Sequence, residues 1–126
     1  MPQQTTLGAD FARAFVEKDA ARLRALLHPE IDFGGMTPSL VWKASGQDAV
    51  LEILFDNWLE ESDRVEAVGP IESDTVVDRE RVGYRFRATT PDGHFVVEQQ
   101  AYLSTRDGQI DWIRVVCSGF RPVPQA

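Results

Sequence analysis

The chain has a single cysteine, Cys117, in 126 residues, which excludes an internal disulfide. Its two histidines, His28 and His94, are far apart, so no histidine and cysteine cluster has metal-ligand spacing and no metal site is expected. No apolar run approaches the roughly 20 residues of a membrane-spanning helix. The opening MPQQTT has neither a basic region nor an apolar core, so a signal peptide is not expected and the expected location is cytoplasmic. Basic residues are outnumbered, 13 against 20 acidic, for a net charge of −7. That balance repels phosphates, so neither nucleic acid nor an anionic membrane is an expected partner unless a local patch overrides the field. The sequence also lacks a phosphate loop, a dinucleotide fingerprint and a hydrolase nucleophile elbow, and no cofactor is expected. It carries no internal repeat, low-complexity tract or linker, and its length suits one domain with one core.

What is present is a patterned core. The stretch Arg79 to Arg121 holds two turn signals, Pro91-Asp92-Gly93 and Asp107-Gly108, between alternating runs rich in Val, Tyr, Phe and Ile. Asp-Gly between such runs marks a hairpin, because glycine accepts the positive φ of the tight turn. Three consecutive antiparallel strands are predicted. Ahead of them, Leu7, Phe11, Ala14 and Phe15 recur at helical spacing behind a Thr6 cap. A short helix follows with Asp19 as cap and Leu23, Leu26 and Leu27 as buried stripe, ending where His28 precedes Pro29. Ile31 and Phe33 read as a short strand, Gly34-Gly35 as breakers, and Leu40-Val41-Trp42 as an extended piece. Ser45-x-x-Asp48 resembles a capping box opening the longest helix, Gln47 to about Glu61. Its wide stripe of Val50, Leu51, Leu54, Phe55, Trp58 and Leu59 fits a helix laid into a curved sheet. Arg64 to Val68 and Thr75 to Val77 are strand-like. Residues 1–6 and the tail from Pro122 to Ala126 are expected to be loose.

Helices first and antiparallel strands after predicts an α+β fold. Three segments, FVEKDAARLRALLHPEIDF, WKASGQDAVLEILFDNWL and AYLSTRDGQIDWIRVV, resemble the nuclear transport factor 2-like superfamily, which includes SnoaL-like cyclases, ketosteroid isomerases and limonene epoxide hydrolases. The resemblance implies a single SnoaL-like domain over 1–126, with a core of about 7–120. Its fold would be a cone-shaped α+β barrel whose N-terminal helices pack into a curved, mostly antiparallel sheet. It also implies a pocket on the concave face and a second subunit on the convex face. The known mechanisms of that superfamily do not carry over. The isomerase base would fall at Phe33-Gly34-Gly35, with Asp32 off register, and its helix-one tyrosine is replaced by Phe11 or Phe15. The epoxide hydrolase acids fall on Gly83 and Val115, and the paired histidines of scytalone dehydratase are absent.

With Asp107-Gly108 and Asp92-Gly93 as two-residue turns, the expected pairs are Tyr102–Ile113, Gln100–Val115, Glu98–Cys117, Arg85–Gln100 and Arg87–Glu98. One face then shows Arg85, Arg87, Glu98, Gln100, Tyr102, Ile113, Val115 and Cys117, and the other Val82, Tyr84, Phe86, Ala101, Leu103, Trp112 and Val116. A one-residue bulge near Thr89-Thr90 would swap a strand between faces. Gln100 matches the oxyanion-stabilising position of the ketosteroid isomerases, which places the Glu98 face in the pocket and makes the apolar face a homodimer interface. Glu98 is then the candidate catalytic acid or base, its plain alternative being an ion pair with Arg85 or Arg87. Arg85, Gln100 and Tyr102 would orient a ligand. Val115, Cys117, Trp42, Trp58 and Phe15 would line the wall, Cys117 as an inert thiol. The alternating Arg79, Arg81, Arg85 and Arg87 would hold a ligand carboxylate or form a solvated ladder. Two functions fit: a small-molecule-binding protein with cofactor-free isomerase, cyclase or hydrolase chemistry on a small apolar or polycyclic compound, or a non-catalytic ligand-binding or dimerisation module.

Overall fold

The first helix is fixed at its ends. The computed structural model describes residues 6–123, and in it α1 spans Leu7–Val16 with Thr6 accepting from the Ala9 amide. Far along the chain, Glu80 accepts from the Gly8 amide at 3.0 Å, which puts a carboxylate at the positive end of the helix. Lys18, at φ +57°, turns the chain into α2, Ala20–Leu26, capped by Asp19. Its ammonium donates to the carbonyls of Glu60 and Asp63 at 2.7 and 2.8 Å.

Strand β1, Leu27–Thr37, is longer than expected and runs straight through Gly34-Gly35. Those glycines are laddered on both sides, to Lys43 and Trp42 of β2 (Leu40–Ser45) and to Arg114 and Val115 of β7 (Gln109–Cys117). Paired neighbours override the weak strand propensity of glycine. The expected capping box does not form: the cap is Gly46 at φ +87°, without a side-chain bond, and Asp48 pairs with Arg24 instead. The long helix is α3, Gln47–Glu52, continued by a π-helix, Ile53–Trp58. The remaining strands are β3 Arg64–Val68, β4 Glu72–Val76, β5 Arg79–Thr90, β6 Gly93–Arg106 and β8 Arg121–Pro122. Thr6 is the expected cap, whereas Pro122, expected to be loose, belongs to strand β8. Residues 1–5 and 124–126 lie outside the described residues.

The sheet runs β2-β1-β7-β6-β5-β3, with β4 also on β5 and β8 on β6. Among the described residues, only β1 with β7 is parallel. It is curved and unclosed, and the fold is mixed α and β as expected. The helices cover one face. Phe11 and Phe15 of α1, Leu54 and Trp58 of the π-helix, and Phe33, Phe86 and Leu103 of the sheet form one core.

Register departs from expectation twice. The β5–β6 turn residues are Pro91-Asp92, because Thr90 pairs with Gly93; Arg85 therefore faces Glu98 and Gly83 faces Gln100. That slip of two keeps each side chain on its face. The second departure does not. Asp107-Gly108 closes the next hairpin as expected, but a bulge between Ser104 and Thr105 shifts the ladder, so Tyr102 pairs with Arg114, Ala101 with Val115 and Gln99 with Cys117. A one-residue bulge exchanges the faces of β7 relative to β6, so Ile113, Val115 and Cys117 share the face of Leu103, Ala101 and Gln99. The helix-covered residues of β6 are Val97, Gln99, Ala101 and Leu103. Glu98, Gln100 and Tyr102 point to the opposite, open face.

Candidate functional site

The expected site residues divide between two layers. On the helix-covered side lie Phe15, Trp58, Val115 and Cys117, all buried, with Trp42 half-buried at the edge. Phe15 is a core residue, its ring 5.9 Å from Phe55 and 6.0 Å from Phe86. Trp58 stands 5.7 Å from Phe33 and 6.2 Å from Trp42. Its ring fills the space above Gly35, where a Cβ would meet it at 2.6 Å, and its Nε1 has no partner. Trp42 donates to the Thr37 hydroxyl at 2.9 Å.

Polar chemistry on this side is one short chain. Tyr84 donates to Gln99 Oε1 at 2.5 Å, and Gln99 donates to Cys117 Sγ at 3.2 Å. Burial, with Cys117 adding to it, pushes the Tyr84 phenol well above its ordinary value, so it serves as a donor and not as a base. Between Val82 and Ala88 on β5, Val97 and Leu103 on β6, and Ile113 and Cys117 on β7, the helix-facing residues include no carboxylate and no imidazole. Among the described residues the one buried acid, Asp63, is spent on the Glu60 amide at 2.9 Å in the loop after the π-helix.

The placement of Glu98 in an apolar pocket is therefore corrected. Its side chain is 47% exposed on the open face and paired with Arg85, itself 67% exposed; Arg85 Nε lies 2.9 Å from the carboxylate. Arg85, Glu98, Gln100 and Tyr102, with an edge of Cys117, do border one shallow groove of about 670 Å³. The aromatic residues expected to share that site are on the other side of the sheet. The expected dimer face is corrected as well. Tyr84, Phe86 and Leu103 are core, whereas Trp112 sits on the open face between the guanidinium groups of Arg79 and Arg114, 4.0 and 4.4 Å from its ring.

The open face reads as cross-strand rows. One row is Ser45, Asp32, Trp112 and Ser104; the next is Lys43, Gly34, Arg114, Tyr102 and Arg81; the third is Val41, Met36, Val116, Gln100 and Gly83. The middle row has a gap at Gly34. Arg114 lies across it, and a Cβ there would sit 2.7 Å from Arg114 Cδ. Around this gap is a groove of about 750 Å³ lined by Asp32, Met36, Val41, Lys43, Arg114 and Val116, with the backbone of Gly34 and Gly35 as floor. Trp42 and Val115, expected in a ligand wall, also border it, whereas Met36, Lys43 and Arg114 were not singled out from the sequence. The signals were the Gly34-Gly35 pair, read from the sequence as breakers, and the alternation of Trp112, Arg114 and Val116, whose face the bulge reverses.

No family model matches the sequence, and no curated protein matches it. Solved structures do. A proposed isomerase from Rhodopseudomonas palustris superposes with a TM-score of 0.74 at 16% identity, over 93% of this chain and 93% of that one. A proposed polyketide cyclase from Xanthomonas campestris gives 0.67 at 19% identity over 87% and 86%. A nuclear transport factor 2-like protein from Burkholderia xenovorans gives 0.64 at 16% identity over 89% and 86%. At such identities the likeness establishes the fold: this chain has the SnoaL-like, nuclear transport factor 2-like architecture.

Proposed function

We propose that this protein binds a small molecule without acid–base turnover, and that the ligand site is the groove over Gly34 on the open face, not the interior of the cone. The observation that carries this reading is the content of the two sides. The interior is filled by Phe11, Phe15, Phe33, Trp58 and Phe86 and offers no carboxylate or imidazole along β5 to β7 to move a proton. The open groove has the volume of a small-molecule site and the mixed lining such sites need, apolar walls with a few polar groups. The isomerase and cyclase names of the structural neighbours bear on activity only by analogy of fold, and fold alone does not carry chemistry. A small-molecule library titrated into isotope-labelled protein checks the reading. Hits should move the amide signals of Gly34, Gly35, Met36 and Val116. Hits that instead move the Trp58 indole and the Gln99 side-chain amide would return the site to the interior.

A second reading, a homodimer through the open face, is favoured by one specific feature. Val41, Met36 and Val116 form a single row and are 61, 54 and 51% exposed, an apolar strip that a second copy could cover. Sedimentation at tens of micromolar should then detect a dimer that Val116→Glu dissociates. A monomer at that concentration removes the dimer and leaves the groove open.

A further inference from the structure

We propose that the groove over Gly34 takes an amphiphilic monoanion, with one carboxylate held between Lys43 and Arg114 and a hydrocarbon body lying along Met36, Val41 and Val116. The inference rests on the placement of the ligand site in that groove and adds the chemical class of its occupant.

The strand register sets the cations. Gly34 pairs with Lys43 on one side and with Arg114 on the other. Two interstrand steps separate their backbones by about 9–10 Å, and the residue between them has no side chain. Arg114 exploits that space. Its Nε lies 3.0 Å from where a Gly34 Cβ would be, so the guanidinium reaches over β1 toward Lys43. Both cations line the same groove.

The donors are only partly used. Arg114 Nη1 donates to the carbonyls of Asp32 and Ile113 at 3.1 and 2.9 Å, and Nη2 lies 3.2 Å from Asp32 Oδ1. Asp32 and these carbonyls orient the guanidinium. Among the described residues, the Nε–H and the second Nη2 hydrogen stay open, and together they form the edge that grips a carboxylate with two parallel bonds. Lys43 has no carboxylate within ion-pair distance among the described residues.

Charge selects the sign of the ligand. The chain carries −7, yet on this face Asp32, Asp74 and Glu98 are each taken by an arginine, and Glu72 stands at the far edge on β4. Lys43, Arg79 and Arg87 keep their charge uncompensated by any ion pair among the described residues. A cationic ligand would be drawn to the rest of the molecule and repelled here. The row beside the cations is Val41, Met36 and Val116, more than half exposed, two residues or about 7 Å along the strands from Lys43 and Arg114. A bare inorganic anion would leave that row wet, whereas a carboxylate on a hydrocarbon body covers it.

Three probes with one hydrocarbon chain test this: octanoate, octylammonium and octanol, each titrated into the labelled protein while the Gly34, Gly35 and Met36 amides are followed. Octanoate should bind at least tenfold more tightly than the other two. Lys43→Glu, an exposed change on an edge strand, should remove that preference and favour octylammonium. If octanol or octylammonium matches octanoate at these amides, the groove is a ligand site and the anion assignment is wrong. If Lys43→Glu leaves the octanoate preference intact, the head group is not held by Lys43 and the assignment is likewise wrong. If none of the three moves these amides, the placement of the ligand site itself fails.

Discussion

At Glu98 and Tyr84 the same sheet gives two neighbouring residues opposite fates. The Glu98 pair with Arg85 is about half in water, and such pairs contribute about 0–1 kcal/mol. Glu98→Gln should therefore lower the melting temperature by no more than about 5 °C and leave ligand binding at Gly34 untouched; a larger destabilisation would mean that the pair is buried. Tyr84→Phe is the contrasting case. It strands Gln99 Oε1, which is buried and bonded to the phenol, and an orphaned buried acceptor costs about 1–3 kcal/mol. The sign of its pH dependence follows from the raised phenol value. The stability Tyr84 contributes is fully present below the ordinary tyrosine value of about 10 and is lost as pH rises beyond it. Of the two tyrosines, this one should therefore show its phenolate absorbance only as the protein unfolds in alkali, and Tyr84→Phe should remove that delayed step.

Elements were legible in the sequence where their ends carry chemistry. Thr6 and Asp19 cap α1 and α2 as expected, because a short side-chain oxygen beside free amides has few other uses. The meander β5 to β7 follows from its two turns. The bulge between Ser104 and Thr105 was not legible, since an extra residue in a ladder leaves no mark in composition. That one feature exchanged the faces of β7 and hid Arg114; Glu98, Gln100 and Tyr102 kept their face beside Arg85, and the match of Gln100 to the isomerase position is what had assigned that face to the pocket. The glycines were misread for a related reason. Gly34 and Gly35 serve the approach of Arg114 and Trp58, a need that exists only once the sheet has formed. Two further elements make predictions. The β4–β5 turn holds Val77 at φ +58° with 94% of its surface exposed. A β-branched residue is strained there, so Val77→Gly should raise stability by about 1 kcal/mol, read by chemical denaturation; a loss would mean that the tip has contacts of its own. Lys18 ties the α1–α2 corner to the loop after the π-helix through carbonyls of Glu60, Glu61 and Asp63. Lys18→Met removes those bonds, which lie at or near the surface, and should cost about 0.5–1.5 kcal/mol, with the earliest proteolytic nicking moving to residues 60–63.

Taken whole, the molecule is a sheet with a filled side and an open side, and none of its described helices is long and apolar enough to cross a membrane. Protection against hydrogen exchange should follow that asymmetry. Amides of β6 and β7, laddered on both sides, should exchange only on global unfolding, and those of the wholly exposed β4 first. The parallel ladder between β1 and β7 has a consequence for synthesis. Leu27 pairs with Ile110 and Met36 with Val116, so the β1–β2 hairpin is joined to the meander only by the last long strand. Until Gln109–Cys117 leaves the ribosome, β1 and β6 each present an unpaired edge, and such edges recruit strands from other chains. Late arrival of one central strand makes this fold dependent on finishing quickly. A strong translational pause just before β7 should lower the soluble yield more than an equal pause before β3.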